Sequence, residues 1–369
     1  MTIGVLGGYG DVGAYAARRL LSFGLGPLRI GGRNAEAARR FAEELSSRAV
    51  EHQAVDFQDD ASLRRFVAGC RILLNCAGPS HAVADRAARA AMEAGADYVD
   101  AAGDDALYAR LAEDEHRGRQ RVAVLSAGLQ PGLTALLPRW AAHQSFSEVH
   151  SLLSYFGVLD HFTEVAADDY LQGATDGVSE PLAAWRDGRR SGVLTRRRNV
   201  EVPFFPGPAT LLPYLNTEGE RLAASLRLAR GDWYTVLTGQ YILTAFDRAR
   251  SLERREAVAA LRRASLLDLA GRDPHVVLLA QLDGLHDGAP VTRTLVVRGW
   301  RNSELTGTMA ALATWAVHLG QVPAGRHFAG AVLEPSWTVG RLRESGAVTT
   351  LEVLDGSIDA LGATEEGCL

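Results

Sequence analysis

Apolar positions in the first third of the chain fall in short runs, separated by stretches where they recur at helical spacing. Ile3 to Leu6, Leu28 to Gly31, Glu51 to Val55, Arg71 to Asn75, Tyr98-Val99 and Val122 to Leu125 read as strands. Val12 to Phe23, Ala61 to Ala68, Ser80 to Ala94 and Leu107 to Gly118 read as helices. Asp59 or Asp60 would cap the second of these, and Gly95 would close the third. Six strands joined by helical crossovers predict an α/β domain with a doubly wound parallel sheet. Loops 7–13, 76–80, 100–104 and 126–132 would then all leave the carboxyl ends of strands, where ligands bind in such sheets.

After Ala142 the pattern changes to longer strands: Val149 to Leu159, Leu222 to Arg230, Tyr234 to Gln240, His275 to Leu282 and Val291 to Arg298. A long charged helix, Phe246 to Ala270, lies among them, with Arg254, Arg255, Arg262 and Arg263 opposite an apolar stripe. We read 143–304 as a second, α+β domain on a mixed, largely antiparallel sheet with helices on one face. A strong helix, Leu305 to Gly320, opens the segment 305–369, which is expected to return to the first domain, 1–142.

The first strand runs into a glycine turn, Gly7-Gly8-Tyr9-Gly10-Asp11-Val12-Gly13. Gly7 lets the chain turn off the strand, Gly10 leaves room for a pyrophosphate, and Gly13 lets the helix pack close to the sheet. The N–H groups and positive dipole end of the helix would hold the phosphates. Glycine spacing alone also fits a purely structural turn. The second strand, at the distance a βαβ unit requires, makes this a Rossmann dinucleotide site.

An NAD-selective site carries Asp or Glu after its second strand, whereas this chain has Gly31-Gly32-Arg33-Asn34. The nearest carboxylate, Glu36, falls on the next helix. An arginine fork binds a 2′-phosphate bidentately, so Arg33, assisted by Asn34, is assigned to it and the cofactor is read as NADP(H). The plainer alternative is that Arg33 is a solvated loop residue.

The 369-residue length allows two domains, and the net charge of −5 gives no reason to expect nucleic acid or an anionic membrane. No apolar run approaches a membrane span, and the apolar N-terminal residues are used by the first strand, so no signal peptide is expected. Cys70, Cys76 and Cys368 form no C-x-x-C pair, which fits a reduced, cytoplasmic protein. The ten histidines show no metal spacing, and no G-x-S-x-G elbow is present. All 39 basic residues are arginine, so any mechanism that needs a lysine is excluded.

GGYGDVG, GGRN, NCAGP, ADYVDAAGD and SAGLQPGL occur in the order seen in the saccharopine dehydrogenase-like (saccharopine reductase) family, which the chain resembles over 1 to about 140. The likeness beyond that is thin, Gly173 to Gly177 included. The resemblance implies that Gly7, Gly8, Gly10, Val12, Arg33, Asn34, Asp56, Cys76, Ala77 and Gly78 line the dinucleotide, with Tyr9, Asp11, Gly13 and Pro79 in the same turns. It places Asp100, Asp104, Gly128 and Gln130 near the nicotinamide and substrate. It also implies that the second domain forms the substrate wall and a homodimer contact. Members that act on saccharopine carry an acidic residue where this chain has Gln130, before Pro131-Gly132. A neutral amide cannot pair with a substrate ammonium as a carboxylate does.

The reaction expected is hydride transfer from NADPH to a C=N bond of a small substrate. A carboxylate would stabilise the iminium without donating a proton. Asp104 is the first candidate and Asp100 the second, both at a strand's carboxyl end, although Asp104 or Asp105 would also serve as a plain helix cap. His81 and Tyr170 are the candidate proton donors. Two other readings stand: enoyl (C=C) reduction on a carrier-bound acyl chain, with Arg196-Arg197-Arg198 as docking surface, and a non-catalytic NADPH sensor. Pro203 to Pro208 reads as a lid, a dimer contact or a connector.

Overall fold

The structure, a computed structural model, describes residues 2–113, 121–175, 177 and 179–366. Gly118, Asp176 and Cys368 of the sequence reading lie outside them. The chain forms two compact units: the residues up to Leu136 with Ser303–Ala347, and Leu137–Asn302 with the chain after Ala347.

The first unit begins β1 (Thr2–Leu6), α1 (Asp11–Ser22), β2 (Leu28–Gly32), α2 (Ala35–Glu44), β3 (Val50–Ala54), α3 (Asp60–Val67) and β4 (Cys70–Asn75). It continues α4 (Ser80–Val83), α5 (Arg86–Glu93), β5 (Asp97–Asp100), α6 (Asp105–Glu113) and β6 (Val122–Leu125). Ile3, Val5, Ile72 to Leu74 and Val124-Leu125 are buried, as strands covered on both faces require. A seventh parallel strand, Gly325–Phe328, joins the edge beside β6, giving the order Gly325–Phe328, β6, β5, β4, β1, β2, β3. Leu6 aligns with Gly31 of β2 and Asn75 of β4, and Asn75 aligns with Asp100 of β5. Four strands therefore end level, and their loops emerge side by side. The helix Asn302–His318 is apolar nearly all round and buried from Leu305 to Val317 except at the half-buried Thr306 and Trp315, which suits a helix inside a core. It comes so close to α1 that a Cβ on Gly307 would lie 2.6 Å from the Val12 carbonyl oxygen.

The second unit is a ten-stranded, mostly antiparallel sheet. Its long strands are Glu148–Leu159, Arg230–Leu237, His275–His286 and Ala289–Gly299; the first two pair in parallel. Its core gathers Tyr155, Phe205, Leu211, Val236, Val277, Leu279, Val296 and Ile358.

Several expectations change. Leu222 to Arg230 is not a strand over its length: Asn216 caps a helix, Thr217–Ser225, by accepting from Gly219 N–H at 2.8 Å, and Leu222 and Ala223 are buried at helical spacing from Glu218 and Gly219. The long charged helix is two, Gln240–Ala249 and Arg254–Leu269. Ser80 to Ala94 divides at Ala84, whose φ of 48° no helix accommodates. The tail does not return whole to the first unit, because Val348–Asp355 pairs with Ala289–Gly299 in the second sheet. Phe205 is 8% exposed, and a Cβ on Gly157 would lie 2.5 Å from its ring, so this residue of the proline-rich stretch is core.

Candidate dinucleotide site

The glycine turn is built as its spacing predicts. Gly7 adopts φ +73°, and a Cβ there would lie 2.8 Å from both Ala77 N and the Cys76 carbonyl oxygen. Gly8 donates its N–H to Gly31 O at 3.0 Å, and its own Cβ position is closed by the Val5 carbonyl at 2.8 Å. Gly13 would place a Cβ 2.2 Å from Gly7 O, so α1 packs directly on the turn. Gly10 differs: its Cβ would meet only Gly7 O, at 3.2 Å, and no side chain caps α1 behind it. That leaves backbone N–H groups and open space for a phosphate, which fits a dinucleotide. Val12 is half-buried behind the turn, and Asp11 is exposed at the helix start, where its carboxylate is ill suited to a phosphate.

Beyond β2, Arg33 is exposed and has no acidic partner among the described residues. Glu36, the nearest carboxylate, is taken by Arg39 and Arg40 at 2.7 and 2.8 Å, which hold it down at about 2. Asn34 uses its Oδ1 to cap α2 through Ala37 N–H at 3.0 Å, so its part in phosphate binding is limited to the amide nitrogen. Asp56, after β3, accepts from Gln58 N–H at 2.9 Å.

The loops at the ends of β4, β5 and β6 are laced together. Cys76 donates its N–H to Leu6 O, Ala101 to Asn75 O, Ala127 to Asp100 O and Ser126 to Ala102 O, at 2.7 to 3.0 Å. Behind them lies a buried polar cluster that sequence reasoning missed. Asp100 Oδ2 accepts from the Tyr98 hydroxyl and from Asn75 Nδ2, and Oδ1 accepts from Ala102 N–H at 2.9 Å. Asn75 Oδ1 in turn accepts from Ala77 N–H at 3.1 Å, so one network fixes both the 76–79 turn and the 100–104 loop. Burial pushes the Asp100 carboxyl up against the opposing pull of its donors. Burial, with the Asp100 charge adding to it, also pushes up the Cys76 thiol and the Tyr98 phenol. Asn75 and Asp100 were visible as polar residues ending apolar buried strands, and such groups need partners.

The catalytic candidates separate accordingly. Asp100 is 3% exposed and engaged by three donors, an arrangement suited to positioning the two loops. Asp104 caps α6 through Leu107 N–H at 2.9 Å, as the plainer alternative held, and its other oxygen has no hydrogen-bond partner among the described residues. His81 is exposed on the short α4, beyond Ala77, Gly78 and Pro79. Gly128 is buried because a Cβ would lie 2.5 Å from the Ala101 carbonyl oxygen, while Gln130 is exposed at the loop tip. Tyr170 belongs to the second unit, where it stacks on Phe246 at 4.4 Å between centroids. There Arg196 pairs with Asp247 at 2.9 Å, so one charge of the suggested docking surface is engaged, and Arg254 on the following helix pairs with Asp168. Among the described residues no cluster of His, Cys, Asp or Glu could hold a metal, and no helix is long and apolar enough to cross a membrane.

A parallel sheet with a glycine turn against an uncapped helix has the build of a dinucleotide-binding domain. Residues 3–134 match the family model of the saccharopine dehydrogenase NADP binding domain. A probable mitochondrial saccharopine dehydrogenase-like oxidoreductase of Arabidopsis thaliana is 31% identical over 126 residues, 30% of this chain. The match spans only 27% of that relative. Among solved structures, saccharopine dehydrogenase (L-Glu forming) of Saccharomyces cerevisiae in its apo form has the same fold: TM-score 0.69 at 16% identity, over 96% of this chain and 100% of that one.

Proposed function

We propose that the protein is an NADPH-dependent reductase of a C=N bond in a small substrate. When bound, the dinucleotide would supply the hydride. Preference for NADPH over NADH is supported by a β2 that ends in two glycines, followed by an exposed arginine without an acidic partner among the described residues. Gly10 and the uncapped start of α1 would hold the pyrophosphate.

One observation favours an imine over a neutral carbonyl acceptor. At the carboxyl ends of β4 and β5, burial keeps Cys76 and Tyr98 protonated, and Asp100 is locked among donors. Neither the thiol nor the phenol is suited to release its proton at neutral pH. A protonated imine brings its own proton and needs only a nearby anion, for which the second oxygen of Asp104 is available. His81, being exposed, would serve a substrate that arrives unprotonated. The test is NADPH oxidation with panels of cyclic imines, amine plus keto-acid pairs and enoyl thioesters. Turnover on the first two groups is the expected result. Turnover confined to enoyl thioesters refutes the imine reading, and tight binding without turnover on every panel favours a sensor. A homodimer, expected through the second unit, is read by light scattering on the purified chain.

A further inference from the structure

We propose that Tyr9 is a specificity-determining residue: its ring holds the place at the end of β2 that a ribose-binding carboxylate needs. This rests on the dinucleotide reading above. In an NAD-selective site that carboxylate stands about 20 residues beyond the glycine motif, at the end of the second strand. Gly32 is the last residue of β2 here. A Cβ on Gly32 would lie 2.4 Å from Tyr9 Cε1, 2.7 Å from Cζ and 2.8 Å from the hydroxyl oxygen. Two ring carbons and the hydroxyl oxygen are met at once, so the position is closed by the outer edge of a planar side chain whose hydroxyl is held by a hydrogen bond. Gly32 has no positive φ, so it is lack of space and not backbone strain that bars a side chain there.

The ring is tied in place. Its hydroxyl accepts from Asn34 N–H at 2.9 Å, and Asn34 is itself fixed as the cap of α2. On either side, Gly8 N–H bonds to Gly31 O and Gly10 N–H bonds to Gly7 O, both at 3.0 Å. The preceding position is shut as well: a Cβ on Gly31 would lie 2.4 Å from the Phe66 ring and 2.8 Å from Val55. Successive strand residues face opposite sides, so Phe66 closes one face of the strand end and Tyr9 the other. The first side chain the strand can offer is Arg33. The strand end thus offers a 2′-phosphate a guanidinium, and offers a 2′-hydroxyl no carboxylate.

The experiment compares wild type with Gly32→Asp, Tyr9→Ala and the double variant, by calorimetry with NADPH and NADH and by the melting midpoint of nucleotide-free protein. Gly32→Asp alone should melt lower than wild type, because carboxylate and ring compete for one space, and should gain no NADH affinity. Removing the ring should restore the midpoint. The double variant should bind NADH about tenfold more tightly than Tyr9→Ala does, the size of one hydrogen bond to a charged group. Should Gly32→Asp not fold, the comparison of the double variant with Tyr9→Ala still decides. The inference is overturned if Gly32→Asp matches the double variant in NADH affinity with an unchanged midpoint, or if the double variant gains no NADH affinity over Tyr9→Ala. Wild type binding neither nucleotide would instead defeat the dinucleotide reading, while the melting comparison would still report the competition between ring and carboxylate.

Discussion

Tyr98→Phe tests whether the buried network at the ends of β4 and β5 holds the site in shape. The substitution keeps the ring, which is fully buried in the first unit's core, and removes only the hydroxyl that donates to Asp100 Oδ2. A hydrogen bond to a charged group contributes about 1.5–3 kcal/mol, so a loss of about 2 kcal/mol is expected. For a unit of this size that lowers the melting midpoint by about 4–8 °C. Asp100→Asn should cost more, for a geometric reason. Asparagine has one oxygen where Asp100 faces donors with two: Ala102 N–H on one side, Tyr98 O–H and Asn75 Nδ2 on the other. Asn75 cannot turn its amide around to help, since its Oδ1 already holds Ala77 N–H at 3.1 Å. One donor is left facing another in the interior, adding about 1–3 kcal/mol to the lost bond. Relief from burying a charge offsets part of this, leaving about 3 kcal/mol. In the double variant the hydroxyl has no carboxylate to serve, so the effects should fall short of additive by about 1 kcal/mol. Urea unfolding of the four proteins measures the cycle. A Tyr98→Phe variant within about 0.5 kcal/mol of wild type, or strict additivity, would refute the network's structural role.

Arg33→Gln should weaken NADPH binding about tenfold or more while leaving NADH binding unchanged, as measured by calorimetry; equal losses for both would make Arg33 a general contact. Asp104→Asn isolates charge from capping, because asparagine caps helices as well as aspartate does. With the α6 cap and the melting midpoint retained, turnover should fall about 100-fold, and wild-type turnover would remove Asp104 from the chemistry. Cys76 and Tyr98 have ordinary values of 9.0 and 10.0 and are raised by burial. A raised folded value means that stability is fully present below the ordinary value and is lost as pH climbs through the folded one. Stability should therefore hold across neutral pH as far as these groups act, and decline above about pH 9. Chemical denaturation across that range checks this, with Cys76→Ala and Tyr98→Phe expected to flatten the decline.

The glycine turn was legible because each glycine answers a local demand: Gly7 by its positive φ and Gly13 by its approach to Gly7 O meet theirs within the motif, although Gly7 also makes room for Cys76 and Ala77. Gly31-Gly32 was read as a missing carboxylate. Its cause, an aromatic ring over each glycine, depends on Tyr9 and Phe66, far apart in sequence, and could not be read locally. Asp100 was legible as a carboxylate at a strand end, but its partners at positions 75, 98 and 102, which tie it to two loops, lie on separate stretches and could not be read locally. Asp104 showed the reverse: three residues before Leu107, its capping role was written in the local sequence.

The tail was misjudged for a reason of connectivity. Helical periodicity identifies the element at 302–318, and its apolar surface says that it is buried, but nothing local says where the chain goes next. After that helix the chain adds Gly325–Phe328 to the first sheet beside β6, then Val348–Asp355 to the second beside Ala289–Gly299. Each sheet thus receives an edge strand from the last fifth of the sequence. A chain stopping near residue 300 would leave the β6 edge and the Ala289–Gly299 edge with unpaired backbone groups. Pairing on both sheets therefore waits for chain that lies far away in sequence, and contacts of such long separation are invisible to any reading by short windows. This explains why the elements that hold the nucleotide turn could be read from their own residues, whereas the assignment of the last segment could not.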